Sequence, residues 1–203
     1  MRLKRFVAYL VDIMIVGLVA TALSSINVLN PYYDNYIESY DSFNETLDSI
    51  DDDNVTSVIT SDLFINQLQN TLKYSICSTI ISLVCYFLYF VGFQKWNKNQ
   101  TVGKKLMKIK VVSVEDNENI SVIDYTVRTI VLYNLLFTMI GVCTAFYLTG
   151  KTFLTAFMVV SIIGYIITYA GYLMILIRKD GRGLHDIMGF TKVVEVEDVS
   201  SKS

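Results

Sequence analysis

The sequence predicts an all-α integral membrane protein with four transmembrane helices. Both termini fall on the cytoplasmic side, beside a small cytoplasmic element that is part amphipathic and part β-like. Three observations predict this. Of 203 residues, 53% are hydrophobic, mean hydropathy is +0.44, and only 18% are charged, against roughly a quarter in soluble domains. Four stretches stay apolar over the roughly 20 residues a helix needs to cross hydrocarbon. The charges are segregated: nine of the nineteen acids fall between Pro31 and Asp62, a stretch with no Lys or Arg. The length suits one membrane domain over 1–203 rather than several.

The spans run from about Phe6 to Leu29, Ser75 to Phe93, Thr129 to Leu148 and Phe153 to Ile177. Only TGKT joins the last two, so they are expected to form a tight antiparallel hairpin. Lys and Arg favour cytoplasmic loops, which sets the orientation. Arg2, Lys4 and Arg5 precede the first span, and Lys95, Lys98, Lys104, Lys105, Lys108 and Lys110 fill residues 94–127, with Arg128 at the border. Arg178, Lys179, Arg182, Lys192 and Lys202 follow the fourth span, whereas the opposite side holds only Lys73 and Lys151. The 94–127 loop and the 178–203 tail are therefore cytoplasmic, the 30–72 loop is extracytoplasmic, and the protein is expected in the cell membrane. A secretory signal is the rival reading of the start, with MRLKR as its basic region and ATA at 20–22 as a cleavage site. The apolar run is longer than such regions usually are and contains Asp12, which favours a retained helix.

The 30–72 segment is acidic, rich in Tyr and Asn, and reads as a solvated loop. DDDN resembles a calcium loop only superficially: after Asp51 come Asp53 and Val55, with no glycine at the sixth position. NET at 44 and NVT at 54 are glycosylation acceptors only in a secretory-pathway host. In the 94–127 loop, Lys104, Lys105 and Lys108 with Leu106, Met107 and Ile109 suit a segment lying along the anionic cytoplasmic leaflet. GKK lacks the upstream glycine of a phosphate-binding loop, since residue 98 is Lys. The similar segments IKVVSVED and TKVVEVED are expected to pair as a small hairpin.

Asp12 is the residue that most needs a reason. A charge at membrane depth costs roughly 2.5–3.5 kcal/mol on insertion scales, so it must face other helices, water or a partner charge. Arg5 lies seven residues earlier, on the same helical face with Tyr9 between them, but about 10.5 Å away along the axis. Arg5 can approach by leaning inward, and other segments also offer partners: Arg128, Arg178 and Arg182 lie on the same side of the membrane. Asp12 is either a carboxylate that titrates or binds a cation during transport, or half of a structural charge pair; on residues alone the structural reading leads. Asn134, one turn before Thr138, reads as an interhelical hydrogen-bonding residue. Ser161, Gly164, Thr168 and Gly171 form a small-residue stripe that lets a neighbouring helix approach closely. Tyr165, Tyr169 and Tyr172 suit an interface or a core. Cys77, Cys85 and Cys143 sit in apolar runs and read as small buried hydrophobes. His185, the lone histidine, stands beside Asp186 and cannot form a two-histidine metal or haem site. With no nucleophile–base constellation in view, the expectation is no enzyme, no metal, no cofactor and no nucleic-acid partner.

Four segments carry a family resemblance. RFVAYLVDIMIVG resembles the first helix of the RDD family, named for one arginine and two aspartates. NQTVGKKLMKIKVVSVED resembles the cytoplasmic segment after its second span, DYTVRTIVLYNLL the start of its third, and RKDGRGLHDIMGFTKVV its closing segment. The resemblance runs from Arg5 to about Val194 and leaves out the acidic 30–72 segment. It places the family's arginine on Arg5 and its aspartates on Asp12 and Asp186. Under the topology above, Arg5, Asp12, Arg128 and Asp186 all fall near the cytoplasmic face, and four charges of mixed sign at one level suggest one cluster, able to clamp the first helix, the third helix and the tail together. For function the resemblance implies monovalent cation/proton-coupled transport, with Asp12 titrating, Arg5 and Arg128 tuning it, Asp186 completing or gating the cluster, and a homo-oligomer supplying the pathway. The alternative it implies is a non-enzymatic scaffold or regulatory subunit of a membrane-protein complex or protease. In that case the acidic outer loop or the basic inner loop binds the partner.

Overall fold

A computed structural model describes residues 1–115 and 120–196. Among the described residues three helices are long and apolar enough to cross a membrane: α1 (Arg2–Ser24), the continuous helix Ile76–Trp96, and α10 (Gly150–Ile177). At about 1.5 Å per residue even the shortest exceeds 30 Å, the thickness of bilayer hydrocarbon. The helix Ile76–Trp96 comprises α5 (Ile76–Phe87), a π-helical turn over Leu88–Phe93, and α6 (Gln94–Trp96). A fourth candidate is α8 (Val122–Leu132) with α9 (Leu135–Tyr147), which qualify only together and are bent by 61°. The third span, expected as one helix from Thr129 to Leu148, is thus two helices broken at Tyr133–Asn134. Asn134 has φ +56°, a left-handed conformation that Asn tolerates and a continuing helix does not. Asn134 thus marks the backbone break in this span.

The helix surfaces are apolar outward. On α1, Phe6, Leu10, Met14 and Leu18 recur at four-residue steps and are exposed, while Ala8, Asp12 and Val16 on another face are buried. A helix that exposes leucine and buries aspartate is arranged for lipid and not for water. The Ile76–Trp96 helix repeats the pattern with exposed Ile80, Val84 and Leu88.

The chain divides into two compact units. The first comprises Met1–Val19, Leu83–Leu135 and the chain from Ile166 onward. Its core packs Ala8, Val91, Ile109, Val111, Ile120, Tyr125 and Val193, with Phe87 and Met107 against them. Two strands supply part of that core. β1 (Ile109–Ser113) and β2 (Thr191–Glu195) pair antiparallel, Ile109 opposite Glu195 and Ser113 opposite Thr191. The expected hairpin partners do pair; Asp116 and residues 197–198, at the ends of the two similar segments, and Lys202 lie outside the described residues. Two short helices complete the unit: α7 (Val102–Leu106), before β1, and α11 (Leu184–Met188), before β2.

The second unit comprises Ala20–Ser82 and Leu136–Tyr165. The stretch read as an acidic loop is helical here: α2 (Tyr33–Asp48), α3 (Val55–Ile59) and α4 (Asp62–Tyr74). Gln67 of α4 donates to Ser42 Oγ (2.8 Å) and accepts from Thr46 Oγ1 (2.8 Å), and Phe43 packs on Phe64, tying α2 to α4. Asp51 accepts from the Asn54 backbone N–H while Asn54 accepts from that of Asp51, so this part of DDDN closes a turn between α2 and α3. Among the described residues no group of three His, Cys, Asp or Glu is placed to hold a metal. Ile65, Ala145 and Phe153 form the unit's core, and only Leu148 and Thr149 separate α9 from α10, as the TGKT link implies.

Candidate functional site

The site lies within the first unit and is built from segments far apart in sequence. Asp186, 0% exposed, sits in the first turn of α11. Its Oδ2 accepts the Gly183 backbone N–H (3.1 Å), closing that turn, and a guanidinium N–H of Arg5. Its Oδ1 accepts from Arg128, which also donates to Thr191 Oγ1 (2.9 Å). Arg5 donates in addition to the Gly181 carbonyl. One carboxylate thus holds the start of α1, α8, the tail turn and, through Thr191, the start of β2. Burial by itself would raise the Asp186 pKa, but Arg128 and Arg5 outweigh it and hold the carboxyl well below the usual range.

Gly183 makes the tail turn possible by close approach. A Cβ there would meet Ile175 Cγ1 and His185 Cε1 at 2.8 Å and the Gly171 carbonyl at 3.0 Å. Gly171 has one part of the role expected of the small-residue stripe, but its near neighbour is Leu184 of the tail, not a spanning helix. Gly164 is buried; Ser161 and Thr168 are half-buried.

Asp12, 1% exposed, stands apart from this triad. Among the described residues no basic group is within ion-pair distance of it. Its Oδ1 accepts Tyr89 O–H (2.8 Å) and the Gly103 backbone N–H (2.8 Å), and its Oδ2 accepts Thr101 O–H. Thr101 is the N-cap of α7 and accepts from the Lys104 N–H at the same time. Asp12 therefore takes the position of an anion at a helix N-terminus, where free N–H groups favour negative charge. Gly103 lets the α7 backbone lie on α1: a Cβ would collide with the Ala8 carbonyl oxygen and stand 2.9 Å from Asp12 Oδ1. Tyr89 reaches Asp12 from the π-helical turn, whose extra residue re-aims side chains around the helix.

Of the four charges expected in one cluster, the structure unites Arg5, Arg128 and Asp186 and places Asp12 in a second clasp. The arginines expected to tune Asp12 are engaged by Asp186. Tyr9, expected between Arg5 and Asp12, shares a hydrogen bond with Tyr172 (2.6 Å) and stacks on Tyr133. His185 is buried 3.5 Å from Asp186, and burial lowers its pKa to about 3, so it is neutral. Lys104, expected along the lipid surface, turns inward instead. Its Nζ donates to Gln94 Oε1 (2.8 Å), and burial together with Arg128 lowers its pKa to about 7. Met107 and Ile109 likewise join the core of the unit, whereas Lys105 and Leu106 are exposed. Tyr89, Thr101, Gly103 and Thr191 were not singled out in the sequence. Only Thr101 carried a local signal, as an N-cap type residue opening a short helix.

The model of the RDD family matches residues 2–189 of this chain, which takes in Arg5, Asp12, Tyr89, Thr101, Gly103, Arg128 and Asp186 but not Thr191. Comparison with the curated proteins and with the solved structures finds no match.

Proposed function

This chain belongs to the RDD family, and on that premise we propose that it is a non-enzymatic scaffold or regulatory subunit in the cell membrane. It crosses the bilayer four times with both termini in the cytoplasm, the bent α8–α9 pair serving as the third span. The observation that carries this reading is that every oxygen of both buried carboxylates is already engaged. Asp186 meets two arginines and a backbone N–H; Asp12 meets two hydroxyls and a backbone N–H. Groups held this way fix elements in place, as a buried charge pair does when both partners are satisfied. The clasps hold α7, α11 and the two strands as a rigid platform. The exposed face of α2 carrying Asp34, Glu38, Asp41 and Glu45 at steps of three and four offers a membrane partner with a basic surface a second place to dock.

One observation favours a second reading, cation- or proton-coupled transport by a homo-oligomer. Lys104 has a pKa near 7 and lines a cavity with Asp12, so this unit contains a group that changes charge near neutrality. Proteoliposomes with an internal pH dye, challenged with Na⁺, K⁺ and Li⁺ gradients, separate the two. On the scaffold reading the wild-type protein moves no protons above empty vesicles. Asp12→Asn then costs about 1–2 kcal/mol of stability, because charge-assisted bonds become neutral ones. Cation-driven proton flux in the wild type that Asp12→Asn or Lys104→Met abolishes overturns the scaffold reading.

A further inference from the structure

Beside the clasps lies a cavity of about 420 Å³, within the range of small-molecule and lipid sites. The clasps do not account for it. Its lining has two textures. Arg5, Arg128 and Lys104 present cations to it, with Asp12 and the neutral His185. Phe6, Leu132, Ile175 and Leu176 present hydrocarbon. Phe6 and Leu176 are 57% and 59% exposed, so the apolar part of the wall comes out on the helix surface that meets lipid.

The charges of the lining do not balance. Arg5 and Arg128 share the single carboxylate of Asp186, and the Asp12 charge is met by hydroxyls and a backbone N–H. Lys104 Nζ meets a neutral amide oxygen and the face of the Phe90 ring (6.0 Å to its centroid), and Arg2 adds a further cation at the exposed end, where it donates to the Arg178 carbonyl (3.0 Å). Surplus positive charge at a site screened from water is costly unless an anion meets it. A soluble anion would meet the charge but leave the hydrocarbon wall unused; a neutral lipid would do the reverse.

We infer that this cavity seats one anionic phospholipid, its headgroup toward the basic part of the lining that Arg2, Arg5 and Lys104 supply and an acyl chain along Leu132, Ile175 and Leu176. The bound headgroup would keep Lys104 charged, and the chain would cover the end of α10 against the tail turn. This inference is independent of whether the protein scaffolds or transports.

The test is native mass spectrometry of the full chain, delipidated in detergent and offered equal phosphatidylglycerol and phosphatidylcholine. The expected result is one phosphatidylglycerol retained per chain in preference to phosphatidylcholine. Lys104→Met should weaken that preference about fivefold, the usual worth of one lysine at an anionic lipid surface. Arg2→Ala, at an exposed position, should weaken it in the same direction and covers the case in which Lys104→Met fails to fold. Ile175→Trp, with helix content unchanged by circular dichroism, should abolish retention by filling the chain's path. The exposed Lys105→Ala should leave retention intact. Equal retention of the two lipids, or a preference unchanged in both Lys104→Met and Arg2→Ala, overturns the inference. So does displacement of the lipid by millimolar inorganic phosphate, which would mark a soluble-anion site.

Discussion

The first unit buries some of its charges and the second keeps its charges at the surface. In the first, Asp12, Arg128 and Asp186 are buried, and two carboxylates join distant segments. In the second, equivalent joints are neutral. Gln69 donates to the Ala145 and Leu148 carbonyls (2.7 and 2.8 Å), closing the end of α9. Asn30 donates to the Ser24 carbonyl (2.9 Å) and to Ser78 Oγ (3.0 Å), closing the end of α1. Both devices satisfy backbone groups that a helix end leaves open. They differ in what happens when one partner is lost. A neutral bond loses about its own net worth, whereas a carboxylate shared by two arginines leaves two charges buried and unmet.

That contrast ranks the outcomes of mutation. Asp186→Asn should be the most damaging, about 3–5 kcal/mol, because it leaves Arg5 and Arg128 without their carboxylate. It should appear as a large fall in thermal stability of the detergent-solubilised protein and in its monodisperse yield. A loss no greater than that of a surface substitution would remove the argument that this triad clamps the unit. Gly103→Ala follows at about 1–3 kcal/mol, the usual range for overpacking, since the atoms in its way are the Ala8 backbone and Asp12. Gly92→Ala, where a Cβ meets nothing within 4 Å, serves as its control. Gln69→Ala, in the unit that buries no charge, should cost about 1–2 kcal/mol and leave the first unit's response to pH unchanged.

A different kind of effect is pH dependence, and its sign follows from His185. Its pKa is near 6.5 in the unfolded chain and about 3 when buried, so the unfolded state binds the extra proton first. The contribution is complete above pH 6.5 and is lost progressively as pH falls toward 3. Asp186, held low by its arginines, adds to the loss only below about pH 4, where an unfolded aspartate protonates. Thermal melts should therefore fall between pH 6.5 and 4 in the wild type and flatten over that window in His185→Gln. An unchanged slope would place another group in control.

How much of this was legible depended on range. The apolar runs were legible because insertion depends on composition over some 20 residues, and α1, α10 and Ile76–Trp96 lie close to where those runs placed them. The β1–β2 pair was legible from two alike segments. The helices of the 30–72 stretch were hidden by composition: α2 gathers Asp34, Glu38, Asp41 and Glu45 on one face and Tyr36, Tyr40, Phe43 and Leu47 on the other, but so many acids and so few aliphatic residues read as a solvated loop. The break at Asn134 was hidden for the opposite reason: the residues around it are uniformly apolar, so composition continues through a bend.

By itself the sequence determined which segments must leave water, how the basic and acidic residues are segregated along the chain, and that a carboxylate enters the first helix with an arginine two turns before it. Only the tertiary structure decided which charge meets which. Spacing within α1 aligned Arg5 with Asp12, yet Arg5 bonds Asp186, 181 residues away, and Asp12 bonds the cap of α7. The reason is physical. Insertion responds to the average polarity of a segment, which is local. A buried charge is stabilised only by atoms within about 3 Å, and which atoms those are depends on how distant segments pack.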